Sequence, residues 1–234
     1  MRDFWFNGRC SREFGIIATG SGTYNAPKRD LTFQAIPGRN GDLILDNQRF
    51  KNITVTYPVF IHQGFARNAE MARAWLLGAQ GYCPLWDSYN PDTFRMAVFA
   101  GPVDFDVKLL NRIGEAKLAF VCKPQRFLRS GTAPKTFAAP GYLYNPTDFP
   151  AQPVITVRGS GAGVLTVGGC AVEIRELEGS ICLDSELMDA YWGQENKNAA
   201  IYAPEFPVLA AGKNEIVFDG GITSVEIIPR WWTL

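Results

Sequence analysis

Few residues in this chain have the type and spacing that chemistry requires. His62 is the single histidine. A His-rich metal site is therefore ruled out, and any Ser–His or Cys–His nucleophile would depend on this one ring. It falls in a strand pattern and no nucleophile elbow is present, so an ordinary surface or hydrogen-bonded role is expected. Asp87 and Asp92 flank a Pro turn, and Asp184 and Glu186 follow a strand pattern. Two nearby carboxylates can exchange a proton or hold calcium, but neither pair has EF-hand spacing, and turn capping is the expected role. Gly159-Ser160-Gly161-Ala162-Gly163 has the glycine density of a phosphate cradle. Such a cradle must open a helix, so that amides and helix dipole converge on the anion. A strand pattern follows here instead, and a flexible hairpin is expected. Tyr191-Trp192, Tyr202 and Trp231-Trp232 could form an aromatic platform for a sugar, although core packing is the commoner use of such residues.

The elements that must position these residues are mostly strands. Apolar content of 47% and charged content of 20% fit a folded chain. Its 23 Gly, 15 Pro and 13% aromatic residues point to many turns between strands. The five cysteines form no CxxC pair, and with charges where a signal peptide needs an apolar core they are expected to be reduced thiols. No apolar run is long enough to span a bilayer as a helix. The neutral total hides an asymmetry: up to Pro140 there are 18 Lys+Arg against 11 Asp+Glu (+7), and after it 5 against 12 (−7). Basic residues in the first part are scattered over different elements with no helix-turn-helix, zinc finger or basic helix, so sequence-specific nucleic-acid binding is not expected. A surface matched to an acidic neighbour accounts for the same charges.

Phe4–Cys10 reads as a strand ending in an Asn-Gly turn. Lys28–Pro37 alternates as a half-exposed strand should, Asn40-Gly41 fits a type I′ turn, and Asp42–Asp46 is the return strand. Ile53–Ile61 alternates cleanly, with Pro58 marking an edge or a bulge. One helix is expected over Asn68–Ala79, capped by Asn68, with Ala72, Trp75, Leu76 and Ala79 on its apolar face. Val103–Leu110 and Glu115–Lys123 form two strands around a turn, with Leu118, Phe120 and Cys122 facing one way and Lys117, Ala119, Val121 and Lys123 the other. After a Pro/Gly/Ala-rich stretch, short strands recur at Pro153–Val157, Val164–Val167, Ala171–Arg175, Ser180–Asp184, Asn214–Phe218 and Thr223–Ile228, the spacing of a β-sandwich. Ile228–Trp232 is too apolar for a free tail and is expected to pack, with the N-terminal domain as one surface open to it.

An ordered set of short motifs then resembles the distal tail protein family of bacteriophages with long flexible tails. The motifs are Phe6-Asn7-Gly8, Phe14-Gly15-Ile16, Pro27-Lys28-Arg29-Asp30, Gly38-Arg39-Asn40-Gly41, Tyr89-Asn90-Pro91-Asp92, Cys122-Lys123-Pro124-Gln125-Arg126-Phe127 and Pro229-Arg230-Trp231-Trp232. The resemblance implies a mainly β chain: an N-terminal β-sandwich-like domain with one α-helix and a long β-hairpin, then a galectin-like C-terminal β-sandwich. Boundaries are expected at 1–135, a linker at 136–146, and 147–234. It implies a virion structural protein, made in the host cytoplasm and placed at the tail tip. There it forms a hexameric ring through which DNA passes, without enzymatic activity, cofactor or membrane contact. The implied partners are other copies of the chain, the tail tube protein, the tail-associated lysin or tail-tip protein, and receptor-binding or fibre proteins. Carried onto this sequence, the ring-building hairpin is Val103–Lys123. Its interface residues would be Val103, Phe105, Val107, Leu109, Lys117, Ala119 and Val121, and a hinge would lie at Lys123, Arg126 and Arg129. A carbohydrate-binding module that recognises the host surface is the alternative.

Overall fold

The computed structural model describes residues 3–20, 25–108 and 113–234. The chain divides into two compact units, Met1–Arg126 with Leu234, and Phe127–Thr233. Each has its own apolar core.

In the first unit, β1 (Phe4–Phe6) turns at Asn7-Gly8 into β2 (Arg9–Cys10). The strands β3 (Ile16–Ala18), β4 (Arg29–Gln34), β5 (Leu43–Phe50) and β6 (Ile53–Ile61) follow, then one helix, α1 (Phe65–Gly78). The unit ends with β7 (Cys83–Asp87), β8 (Thr93–Val98), β9 (Asp106–Lys108) and β10 (Ile113–Cys122). The main sheet runs β2-β1-β7-β8-β10-β6-β3, with β9 on β10, and its pairings are antiparallel. Only Val98↔Val121 and Ala97↔Cys122 join β8 to β10. At this narrow joint the sheet folds over on itself. Phe4 of β1 consequently stacks on Tyr57 of β6, four strands away in the sheet order, at 5.0 Å between ring centres. Phe120 of β10 meets Phe4, Phe6, Tyr57 and Phe99 edge-on. These contacts make the core an aromatic one, and such pairs add to the burial term.

The helix covers this core with Ala69, Ala72, Trp75 and Leu76. Trp75 stacks on Phe14 at 4.3 Å, and its Nε1 donates to the Phe6 carbonyl at 3.1 Å, so its polar atom is satisfied in the core. The helix starts three residues before the expected Asn68 cap. Gly64, in a left-handed conformation, occupies the cap, while the Asn68 side-chain amide donates back to the Gln63 carbonyl at 2.9 Å. In β6 the burial alternates strictly, as its sequence predicts. β3 pairs with it only from Ile61 to Val59, so Pro58 stands where β6 becomes an edge.

The second unit begins in β11 (Arg126–Leu128), then β12 (Lys135–Phe137) and β13 (Gly141–Asn145). The strands β14 (Val154–Val167) and β15 (Cys170–Asp184) form its spine, followed by β16 (Asp189–Trp192), β17 (Glu195–Asn196) and β18 (Ile201–Tyr202). β19 (Gly212–Phe218), β20 (Ile222–Ile228) and β21 (Trp232–Thr233) complete it. Where the sequence suggests four short strands, the two spine strands run unbroken for 14 and 15 residues. The first half of β14 and the second half of β15 belong to the row β12-β20-β14-β15-β16-β17, and their other halves to β13-β19-β14-β15-β18. The two rows enclose a core of Ile155, Leu165, Ile174, Ile181, Ile216 and Val225.

The glycine run 159–163 is therefore neither a phosphate cradle nor a hairpin. It is the bend of β14, with register shifts at Gly159 and between Gly161 and Gly163. A Cβ on Gly159 would strike the Gly221 carbonyl, and one on Gly221 would strike that of Ser160. Glycine is needed there for close approach of two backbones. The 136–146 stretch, expected as a linker, is largely strand: β12 pairs with β20 and β13 with β19.

The apolar terminus packs in the second unit. Trp231 is buried above Gly131, where a Cβ would meet its backbone. Trp232 stacks on Phe149 at 4.5 Å and donates Nε1 to the Pro150 carbonyl at 2.9 Å.

Candidate functional site

The candidate site is a surface in the first unit, built around β4 and β5. Among the described residues these two strands pair with each other and with no other strand. Their turn carries Gly38 and Gly41 in left-handed conformations, as the Asn40-Gly41 signal predicts. Leu31↔Asp46 is followed by Thr32↔Leu45, Phe33↔Ile44 and Gln34↔Leu43. Three residues of β5, Asn47–Arg49, oppose the single residue Asp30 of β4, which makes a bulge with Gln48 in a left-handed conformation. Arg49 and Lys51 reach the Asp30 carboxylate from there at 2.7 and 3.2 Å and hold it below the usual carboxylate range. Arg29 meets Asp46 at 3.1 Å.

Side chains alternate across a strand, so this register puts Phe33 and Ile44 on one face of the ribbon and Leu43 and Leu45 on the other. All four are exposed in the single chain, Phe33 at 59% and Ile44 at 57%. An isolated two-stranded ribbon is marginal in water, and here both faces are apolar. An exposed apolar cluster of this kind marks an interaction surface. The alternation in the sequence suggests one buried face; the described residues cover neither.

A second feature of the same unit is a groove of about 570 Å³ beside β6 and β10. Pro58, Phe60, Pro102, Ala116 and Ala119 give it apolar walls. Asp104, Asp106, Glu115 and Lys117 are its charged lining among the described residues.

The residues expected at the ring interface are spread over different environments. Val103 is buried in the core. Phe105 packs against that core, edge-on to Phe65 at 5.6 Å. Val107 is 40% exposed and Leu109 lies outside the described residues. Lys117 and Ala119 line the groove, and Val121 is 37% exposed on the same outward side of β10. Among the described residues β9 pairs with β10 at three positions, whereas β6 pairs with β10 at nine. Among the described residues β4–β5 is the ribbon that stands apart from the main sheet, whereas β10 is built into that sheet along β6. The physical reason is that Val103 and Phe105 are drawn into the core rather than into a projecting strand. Lys123 and Arg126 lie in the first unit and Arg129 in the second. The Lys123 ammonium lies 5.4 Å from the centre of the Tyr82 ring.

The residues with chemical potential have structural surroundings. His62 is exposed next to Phe60. Asp87 is buried and accepts hydrogen bonds from the Tyr57 hydroxyl at 2.7 Å and from the amides of Tyr89 and Asn90 at 2.9 and 3.0 Å. Burial, then the Asp87 charge, pushes the Tyr57 phenol far up, so it stays protonated and donates. Asp184 is buried and takes two hydrogen bonds from Arg230, at 2.8 and 3.0 Å. Burial alone would raise its pKa, but the Arg230 bonds outweigh it and hold the carboxyl below its usual range. Glu186 is 3.6 Å from the same guanidinium, so one cation answers both carboxylates. Among the described residues no cluster of His, Cys, Asp and Glu could hold a metal ion. Of the aromatics considered for a sugar platform, Trp231 is buried, Trp232 and Tyr191 are half-buried, and Trp192 and Tyr202 are exposed. Arg175 lies over the Tyr202 ring.

Neither a protein-family model nor a curated protein matches the chain. Solved structures do. The SPP1 Dit protein, described as a paradigm of the hub adsorption apparatus in Gram-positive infecting phages, matches with a TM-score of 0.76 at 11% identity, over 100% of both chains. A chain of the phage p2 baseplate, in its activated conformation with strontium, matches with a TM-score of 0.52 at 7% identity over 97% of this chain and 98% of that one. The calcium form of the same baseplate gives 0.52 at 8% identity over 97% of both. This chain shares its fold with the SPP1 Dit protein.

Proposed function

We propose that the chain is a structural protein of a bacteriophage tail tip, a distal tail hub without enzymatic activity. Six copies close into a ring that joins the tail tube to the tail-tip proteins and leaves a central opening for DNA. The second unit, read as galectin-like, offers docking surface to the tail-associated lysin and to receptor-binding or fibre proteins. Lys123, Arg126 and Arg129 flank the boundary between the units and serve as its hinge. The observation that carries this reading is the full-length likeness to the SPP1 Dit hub.

The ribbon supports the ring. Its two apolar faces need cover that the described residues do not provide, and another copy of the chain can supply it while its own ribbon is covered by the next. Contacts of that kind are head to tail, and they end either in a closed ring or in an open filament. Sedimentation velocity on the purified full chain, alone and with the tail tube protein, tests the reading. A concentration-dependent species of six copies is expected. A chain that stays monomeric in both conditions contradicts it.

A further inference from the structure

We infer that a small polar cavity of the first unit, beside β7 and β8, is a binding site for a single carboxylate group, gripped by Arg95 and Arg126. It does not depend on the ring reading. The cavity measures about 30 Å³, and the whole of its lining belongs to that unit. Two of the motifs read from the sequence meet at it: Asn90 comes from Tyr89-Asn90-Pro91-Asp92, and Arg126 from Cys122-Lys123-Pro124-Gln125-Arg126-Phe127. Arg95 lines the cavity and is only 7% exposed. Its Nη1 donates to the Pro124 carbonyl at 2.9 Å, and among the described residues its guanidinium makes no other hydrogen bond. A guanidinium has several further N–H donors, and burying one without a counter-charge is costly.

The described residues do not provide that counter-charge. Asp87 is the one carboxylate in the lining, against two cations, and no ion pair joins it to either. Its oxygens already accept from the Tyr57 hydroxyl and from the amides of Tyr89 and Asn90. Residues 1–2, 21–24 and 109–112 contain no Asp or Glu that could add a charge. Burial, then the neighbouring Arg126 charge, pulls the Arg95 guanidinium down from its ordinary value, a strain that an anion between the two would relieve. Asn90 and Thr93 also line the cavity and offer an amide and a hydroxyl as neutral donors. Size selects the anion. A cavity of about 30 Å³ holds roughly two water-sized groups, which suits the two oxygens of a carboxylate and not the four of a phosphate or sulfate. A planar carboxylate also matches the fork of a guanidinium. The group is carried either by a free small acid or by an acidic side chain of a neighbouring protein, and the experiment separates the two.

The test follows the arginine Nε–H resonances of the isotope-labelled full chain by NMR while sodium formate is added, with ionic strength held constant by the bulky sulfonate HEPES. A saturable shift of the Arg95 resonance is expected. Arg126→Gln should raise the midpoint at least fivefold, and Arg126→Lys, which keeps the charge without the fork, should fall between it and the wild type. Lys123→Gln, a charge lost nearby but outside the lining, should leave the midpoint unchanged. The α-amide of N-acetylaspartic acid, whose carboxylate sits on a side chain, is titrated in parallel. Saturation of the same resonance by both compounds assigns the site to an acidic side chain, and saturation by formate alone assigns it to a free small acid. Shifts that never saturate with either, or a midpoint that is indifferent to Arg126→Gln, overturn the site.

Discussion

Asp184 and Arg230 show at the scale of single residues why the chemical motifs of the sequence come to little. Spacing places Asp184 and Glu186 together, but it does not show the guanidinium that arrives from 46 residues away to hold Asp184 with two hydrogen bonds. Arg230 makes this reach from a left-handed backbone conformation. Because the folded pKa of Asp184 lies below its ordinary value, the pair stabilises the fold above the unfolded carboxylate pKa of about 3.9, and that stability is lost as pH falls through the lower folded value. Arg230→Met leaves a buried carboxylate unpaired and should cost about 3 kcal/mol near pH 7, the low end for a broken buried pair, since Arg230 is itself 29% exposed on its side chain. Urea unfolding at pH 7 and at pH 3 checks this: the gap between wild type and variant should shrink at the lower pH. A gap of equal size at both would show that packing, not the ion pair, carries the effect. Asp87 was equally illegible, because its partner Tyr57 comes from a different strand.

At the scale of elements, local signals and context separate cleanly. The turn at Asn40-Gly41, the alternation of β6 and the apolar face of α1 were all readable, because each depends on residues within a few positions. The bend at 159–163 was not. Glycine there satisfies the approach of the 220–221 backbone, a long-range demand that the local sequence does not distinguish from a turn. That the β4–β5 hairpin keeps its apolar side chains exposed was not legible, for a related reason. Alternation reports that a strand has an apolar face, but not whether that face meets a core in the same chain. Val103 and Phe105 meet one, whereas Phe33 and Ile44 do not. A ribbon built for a partner should be sensitive in association and insensitive in folding. Phe33→Asp together with Ile44→Asp should weaken self-association more than about a hundredfold, some 3 kcal/mol, while the melting temperature stays within about 2 °C. Matched losses in both would mean that the ribbon belongs to the core of its own chain.

For the whole molecule, the mainly β character and the motif order were legible, while the unit boundary had to come from contacts. Opposite charge in the two parts of the chain follows the division into two cores. Residues 127–234 contain Arg129, Lys135, Arg158, Arg175, Lys197, Lys213 and Arg230 against 12 carboxylates, seven minus twelve, or −5. With a separate core in each unit, limited tryptic cleavage near the boundary at Arg126 should release an acidic, folded C-terminal fragment. A digest in which both parts disappear together would show one cooperative body.

The ring is the central claim, and electron microscopy of the purified full chain, alone and with the tail tube protein, tests it most directly. Class averages with six-fold symmetry and a central opening are the predicted result. Fields of single particles, or open filaments that never close, would contradict it.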